Sequence, residues 1–220
     1  MALITHIPKN FKTLNPVDGC DMGCPYCYAE RMNARFKWIE DWKHPEFFPE
    51  RVKFNTKKPQ IFFLDSMSDF AAWDKEWQDY VITIAKSNPQ NRYMTLTKRP
   101  QLFSGNLPST WWYGVTVTNS TDKSRIQIMR ENVKGAHLHI SFEPLHSDIG
   151  ELDLEDIEWI SMGPESGNRV GKVIPKKEWF MNIVEQAKVR NIPIMMKDSV
   201  AKIIGEENFY SEYPFGIEQW

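Results

Sequence analysis

IFFLDSMSDF, residues 61–70, sets an apolar run directly against Asp65, Ser66, Ser68 and Asp69. Such a run, closed by small polar residues, predicts a buried strand over 61–65 that ends in a turn. The pattern recurs. A weak first strand is predicted near 11–15, and others at YMTLT (93–97), YGVTVT (113–118), HLHISF (137–142), EWISMG (158–163) and PIMM (193–196). Helical patterns fall between them, around 27–42, 73–87, 121–133 and 175–190. Strands alternating with helices imply an α/β fold with a parallel sheet and right-handed crossovers. No G-x-G-x-x-G follows any strand, so a dinucleotide fold has no positive sign. Six or seven units favour a barrel, complete or partial, over a five-stranded open sheet.

The ends of the strands carry the chemistry. After the apolar runs come Asp65-Ser66-Met67-Ser68-Asp69, Thr97-Lys98-Arg99, Thr116 with Thr118-Asn119, Ser141 with Glu143-Pro144, Gly163-Pro164-Glu165-Ser166, and Lys197-Asp198. In a parallel barrel these ends share one face, where ligands bind. One such cluster alone is a turn and a helix cap; repetition along the whole chain points to a site.

Length and composition are those of a single globular unit: 220 residues, 41% apolar and 25% charged. The expected division is a barrel over 1–200 and a C-terminal extension over 201–220, packed on the barrel across its side or its mouth. No apolar run is long enough to cross a bilayer, and MALITHIPKNFK lacks the features of a secretion signal, so a cytoplasmic, reducing location is expected. Net charge is −2 with both signs interspersed, which gives no support for broad electrostatic binding of nucleic acid but leaves room for a local basic groove. Trp38, Trp42, Trp73 and Trp77 recur at helical spacing and are expected to pack helices onto the core.

The three cysteines, Cys20, Cys24 and Cys27, all fall in CDMGCPYC. In a reducing compartment, crowded cysteines read as metal ligands or reactive thiols. Structural zinc wants four ligands; here it would need a distant histidine as the fourth, and none completes a local zinc spacing. Three thiolates suit a [4Fe–4S] cluster that leaves one iron open to a substrate or cofactor. Tyr26, just before Cys27, would lie against whatever the open iron binds. His137 and His139 alternate along a strand and point the same way, which reads as packing; His6, His44 and His146 are scattered.

C-D-M-G-C-P-Y-C resembles the C-x3-C-x-aromatic-C signature of the radical S-adenosylmethionine (radical SAM) enzymes. The resemblance implies a partial (β/α)6 barrel, a cluster on Cys20, Cys24 and Cys27, and S-adenosylmethionine chelated at the open iron. One-electron reduction, by a flavodoxin- or ferredoxin-type reductant, then releases a 5′-deoxyadenosyl radical that abstracts hydrogen. N-P-V-D-G-C, S-M-S-D, L-T-K-R-P, G-V-T-V-T-N, F-E-P-L and G-P-E-S-G, in that order, are similar to an uncharacterised radical SAM-like family frequent in phage and prophage genomes. This chain departs from it at Pro164, where glycine is usual, and in its shorter first cysteine interval; it also lacks the G-G-E usual in radical SAM enzymes after the second strand.

Carried onto matching positions, the resemblance implies that Asp65, Ser66, Ser68 and Asp69 hold the methionine amino group. Lys98 or Arg99 would pair with the carboxylate, and Thr116, Thr118 and Asn119 with the ribose. Glu143, Glu165 and Arg99 are the candidates for catalysis. The resemblance leaves the substrate open: its phage context favours a nucleic acid or nucleotide, and peptide modification is the second enzymatic possibility, though no cysteine remains for a second cluster. The competing expectation is a noncatalytic zinc- or iron–sulfur-binding barrel that serves as a scaffold for a phage or host partner.

Overall fold

The computed structural model describes residues 8–216; residues 1–7, with His6, and residues 217–220, the end of the expected extension, lie outside them. Seven strands form one sheet: β1 (Phe11–Thr13), β2 (Ile61–Phe63), β3 (Arg92–Thr97), β4 (Trp111–Thr116), β5 (His137–Phe142), β6 (Ile157–Met162) and β7 (Ile194–Met196). Their spatial order follows the chain, and every neighbouring pair is parallel. A doubly wound sheet reverses its order at a switch point. Here the order never reverses, so right-handed crossovers place all the helices on one face and leave the other face free to close on itself.

The sheet curls accordingly. Phe11, Ile61, Met94, Trp112, Trp159 and Met195, from six of the seven strands, gather in one cluster with Phe215, which a flat sheet would not allow. Among the described residues β1 and β7 remain edges that do not pair with each other, so the result is a half-barrel.

The helices are α1 (Tyr28–Phe36), α2 (Lys75–Lys86), α3 (Ser124–Asn132), α4 (Lys177–Val189) and α5 (Asp198–Ile204). Their apolar faces, including Val81, Ala85, Met129, Phe180 and Val184, bury the outer face of the sheet in the main core. The first four occupy the expected intervals, whereas α5 was not anticipated. Two connections carry no α-helix: β3 to β4 passes through a 3-10 turn at Pro100–Leu102, and β5 to β6 is a loop.

α1 stops at Phe36 rather than running to residue 42. Lys37 takes a left-handed conformation (φ 55°) and donates its N–H to the Asn33 carbonyl at 2.7 Å. The Asn33 amide then bonds both the N–H and the C=O of Ile39, each at 3.0 Å, which closes the turn. With the helix ended, the expected spacing fails at Trp38, which is 43% exposed and stacks on Phe36, while Trp42 and Trp73 are buried. Trp77 stacks on Phe47.

The C-terminal segment covers neither the side nor the mouth alone. Ser211 pairs antiparallel with Met195 on β7. The chain then turns beneath the barrel, where Trp159 Nε1 donates to the Glu212 carbonyl (2.9 Å) and Arg92 Nε to that of Phe215 (3.0 Å). Phe215, 3% exposed, fills the concave side at the N-terminal ends of the strands. The opposite, C-terminal ends stay open.

Candidate active site

A cavity of about 260 Å³ lies at that open end. Its wall includes Cys20, Cys24, Cys27, Tyr26, Asp65, Ser66, Ser68, Asp69, Lys98, Thr116, Glu143 and Glu165. Twelve of the expected site residues, spread from residue 20 to residue 165, are thus brought together by the strand ends.

The cysteine loop enters from a two-residue ribbon, Val17–Asp18 paired with Glu46–Phe47. Gly19 follows with φ +107°, and a Cβ there would lie 2.8 Å from Pro45 Cα, so the approach to Cys20 demands glycine. The Gly19 N–H donates to Met67 and that of Cys20 to Trp42, fixing the loop to β2's end and to the segment after α1. Ala29, Ile39, Trp42 and Met67 form an apolar collar against Cys20 and Cys27. Cys27 is also the N-cap of α1, its Sγ accepting from the Glu30 N–H at 3.4 Å.

Burial pushes the Cys20 thiol up to about 11 and raises Cys27 as well; backbone N–H groups of Met22 and Glu30 act against that shift. Protein alone therefore keeps these thiols protonated, and a bound cation would be needed to ionise them. Among the described residues, no three His, Cys, Asp or Glu side chains gather round a point where one ion could sit. All three thiols line the cavity. Zinc draws its ligands to one centre at ~2.3 Å, whereas a cubane takes one thiolate at each of three separate irons. Three thiols on one wall, two of them already receiving N–H donors, fit the second kind of group.

Asp65 and Asp69 line the cavity, but their oxygens are engaged. Asp65, fully enclosed, accepts from the Leu96 N–H (2.9 and 3.1 Å) and the Phe70 N–H (3.2 Å), joining β2's end to β3. Burial, with Asp69 nearby, raises it well above the usual carboxylate range. Asp69 accepts from the Thr97 hydroxyl (2.5 Å) and the Lys98 N–H (3.0 Å). Ser66 donates to Asn15 at 3.0 Å and Ser68 accepts from Trp73 at 2.9 Å, and both retain capacity toward the cavity. The Lys98 ammonium stands 5.9 Å from the centre of the Tyr26 ring.

On the opposite wall, Glu143 is paired with Lys197 at 2.6 Å, and the carboxylate raises the lysine above its usual range. Gly163 makes room for this pair: a Cβ there would sit 3.0 Å from Lys197 Cγ. Glu165 is committed differently. Its side chain, 2% exposed, takes a two-pronged contact from Arg169 (2.7 and 2.8 Å), which holds it below the usual carboxylate range. Glu165 thus anchors its own loop, and Glu143 is the freer acid.

Three expected residues stand outside the cavity wall. Thr118 bonds Asp122 (2.8 Å) and Asn119 caps the following turn by accepting from the Thr121 N–H (2.9 Å). Of the expected ribose-binding residues Thr116 alone lines the cavity, and so does its neighbour across the sheet, Ser141. Arg99 lies behind the cysteine loop, bonded to Asp21 at 2.6 Å. Conversely, Tyr28 and Lys197 line the cavity without having been singled out for it, and His146 supports two of its wall residues. Lys197 was visible as a strand-end residue, and Tyr28 follows the cysteine motif directly. Nothing in the sequence marks His146, which meets Tyr26 edge-on at 5.0 Å and lies 3.6 Å from Glu165 through the fold of the β5–β6 loop. His137 and His139 behave as packing residues: His137 stacks on Trp112, and His139 is fully buried.

Residues 4–203 match the family described as protein of unknown function (DUF5131). No curated protein and no solved structure matches the chain.

Proposed function

The chain belongs to the DUF5131 family, and from its site we propose that it is a radical SAM enzyme with a radical SAM core fold, working in the cytoplasm. One observation carries the reading: the thiols of the C-x3-C-x-aromatic-C loop and the polar strand ends of a parallel half-barrel line a single cavity. Cys20, Cys24 and Cys27 hold a [4Fe–4S] cluster. When bound and reduced by a flavodoxin- or ferredoxin-type donor, the cluster supplies the electron that opens the sulfonium of S-adenosylmethionine.

The chain's own residues bind and orient. Lys98 pairs with the methionine carboxylate, a charge-assisted contact. Ser66 and Ser68 accept from its ammonium, over a floor made negative by Asp69. Thr116 faces the ribose, and Tyr26 screens the loop from water. The wall of Glu143 and Lys197 is left for the substrate, for which a nucleic acid or nucleotide is our reading.

The test is anaerobic reconstitution with iron and sulfide, followed by reduction in the presence of S-adenosylmethionine. Brown protein that releases 5′-deoxyadenosine is expected. Colourless protein that takes up one zinc instead would replace the enzyme with a metal-binding scaffold. A fully loaded, reducible cluster that binds S-adenosylmethionine yet yields no nucleoside would remove the radical mechanism.

A further inference from the structure

We infer that Arg99 is a positioning residue that sets the reduction potential of the cluster, an inference that rests on the reading just given. The two adjacent cations of the third strand end divide: Lys98 faces the cavity, while Arg99, 15% exposed, turns behind the cysteine loop. There its guanidinium meets three groups. Nη1 donates to Asp21 Oδ1 at 2.6 Å, Nη2 lies 3.9 Å from Cys20 Sγ, and Nε is 3.8 Å from Asp69 Oδ2. Nε is buried and makes no hydrogen bond of its own. Asp69 is in turn locked to the Thr97 hydroxyl and the Lys98 N–H. A continuous chain of contacts therefore runs from β3 through Asp69 and Arg99 to the first cysteine.

The sulfurs are consequently unequal. Cys27 receives a neutral N–H from Glu30, whereas Cys20 faces a guanidinium that keeps its charge at every accessible pH. One electron from an external reductant makes the cluster and its thiolates one charge more negative. A fixed cation at a ligand sulfur favours that reduced state and raises the potential, as hydrogen bonds to the sulfurs do. The Asp21 carboxylate, held on the same guanidinium, cancels part of the effect. The two side chains should therefore act with opposite sign.

The experiment uses the full chain, anaerobically reconstituted, as wild type, Arg99→Gln, Arg99→Lys and Asp21→Asn. Each is titrated with dithionite against mediator dyes while its visible absorption and paramagnetic signal are followed. At a fixed potential, Arg99→Gln is expected to lower the reduced-to-oxidised ratio about tenfold, which for a one-electron couple is about 59 mV. Arg99→Lys should fall between it and wild type, and Asp21→Asn should shift the other way. Equal potentials in fully loaded wild type and Arg99→Gln overturn the inference and leave the enzyme reading standing. A wild type that assembles no cluster overturns both. Should Arg99→Gln fail to hold iron, Asp21→Asn decides, and an unchanged or lowered potential there refutes the role.

Discussion

Lowering the pH from 7 to 5 should destabilise the protein through one imidazole. His139 is fully buried on β5, its Nε2 3.2 Å from the Thr95 carbonyl and its ring 5.4 Å from that of Trp159. Burial lowers its pKa from the ordinary 6.5 to about 4. The unfolded chain therefore binds a proton between these values that the folded chain refuses, so stability is full above 6.5 and falls as the pH drops toward 4. At pH 5 the loss works out at about 2 kcal/mol, or roughly 4–8 °C in melting temperature for a chain of this size. Thermal unfolding at the two pH values, with His139→Gln alongside, isolates the effect. The variant starts less stable but should lose distinctly less between pH 7 and pH 5, since His146 and the carboxylates titrate in both proteins. Parallel losses in the two would show that His139 takes up its proton in the folded state, and the reasoning from burial would fail.

Cys24→Ala, reconstituted anaerobically, should lose most of its iron and broad absorption while His137→Ala keeps both; equal iron in the two would remove the ligand assignment. Replacing Ser66 and Ser68 together with Ala, or Lys98 with Met, should weaken S-adenosylmethionine binding by roughly 1–3 kcal/mol without loss of iron, and calorimetry showing unchanged affinity would give those side chains another task. Phe215→Ala should cost about 3–5 kcal/mol in denaturant unfolding, because the ring is buried by several strands at once, and a loss below about 1 kcal/mol would mean that it does not close the barrel floor.

Much of this arrangement is legible in the chain because its signals are local. Each strand announces itself by a short apolar run, and the polar residues after it are placed by the strand that precedes them; order and parallel direction follow from the repeated alternation. What escapes is set by contacts between distant segments. Arg99 and Lys98 are neighbours of the same charge, and only the position of the cysteine loop decides that one faces the cavity and the other turns behind it. Glu165 and Glu143 both follow strands, but Arg169, four residues past Glu165, claims the first. α1 ends early because of the amide of one asparagine, which periodicity does not register. Trp38 is then exposed although its spacing suited a buried stripe.

The floor beneath the cavity is built from both ends of a long stretch of chain. Phe11 and Phe215 stand 6.3 Å apart, ring to ring, and the residues packed with them come from strands spread over the whole interval between. During synthesis the strands can emerge and pair with their sequence neighbours one after another, since every adjacent pair in the sheet is also consecutive in the chain. Closing this floor joins residues far apart in sequence, so its contacts carry a larger loop-closure cost than those between consecutive strands. The sheet is thus knit strand to strand by local pairings, and its concave floor by contacts that span nearly the whole described chain.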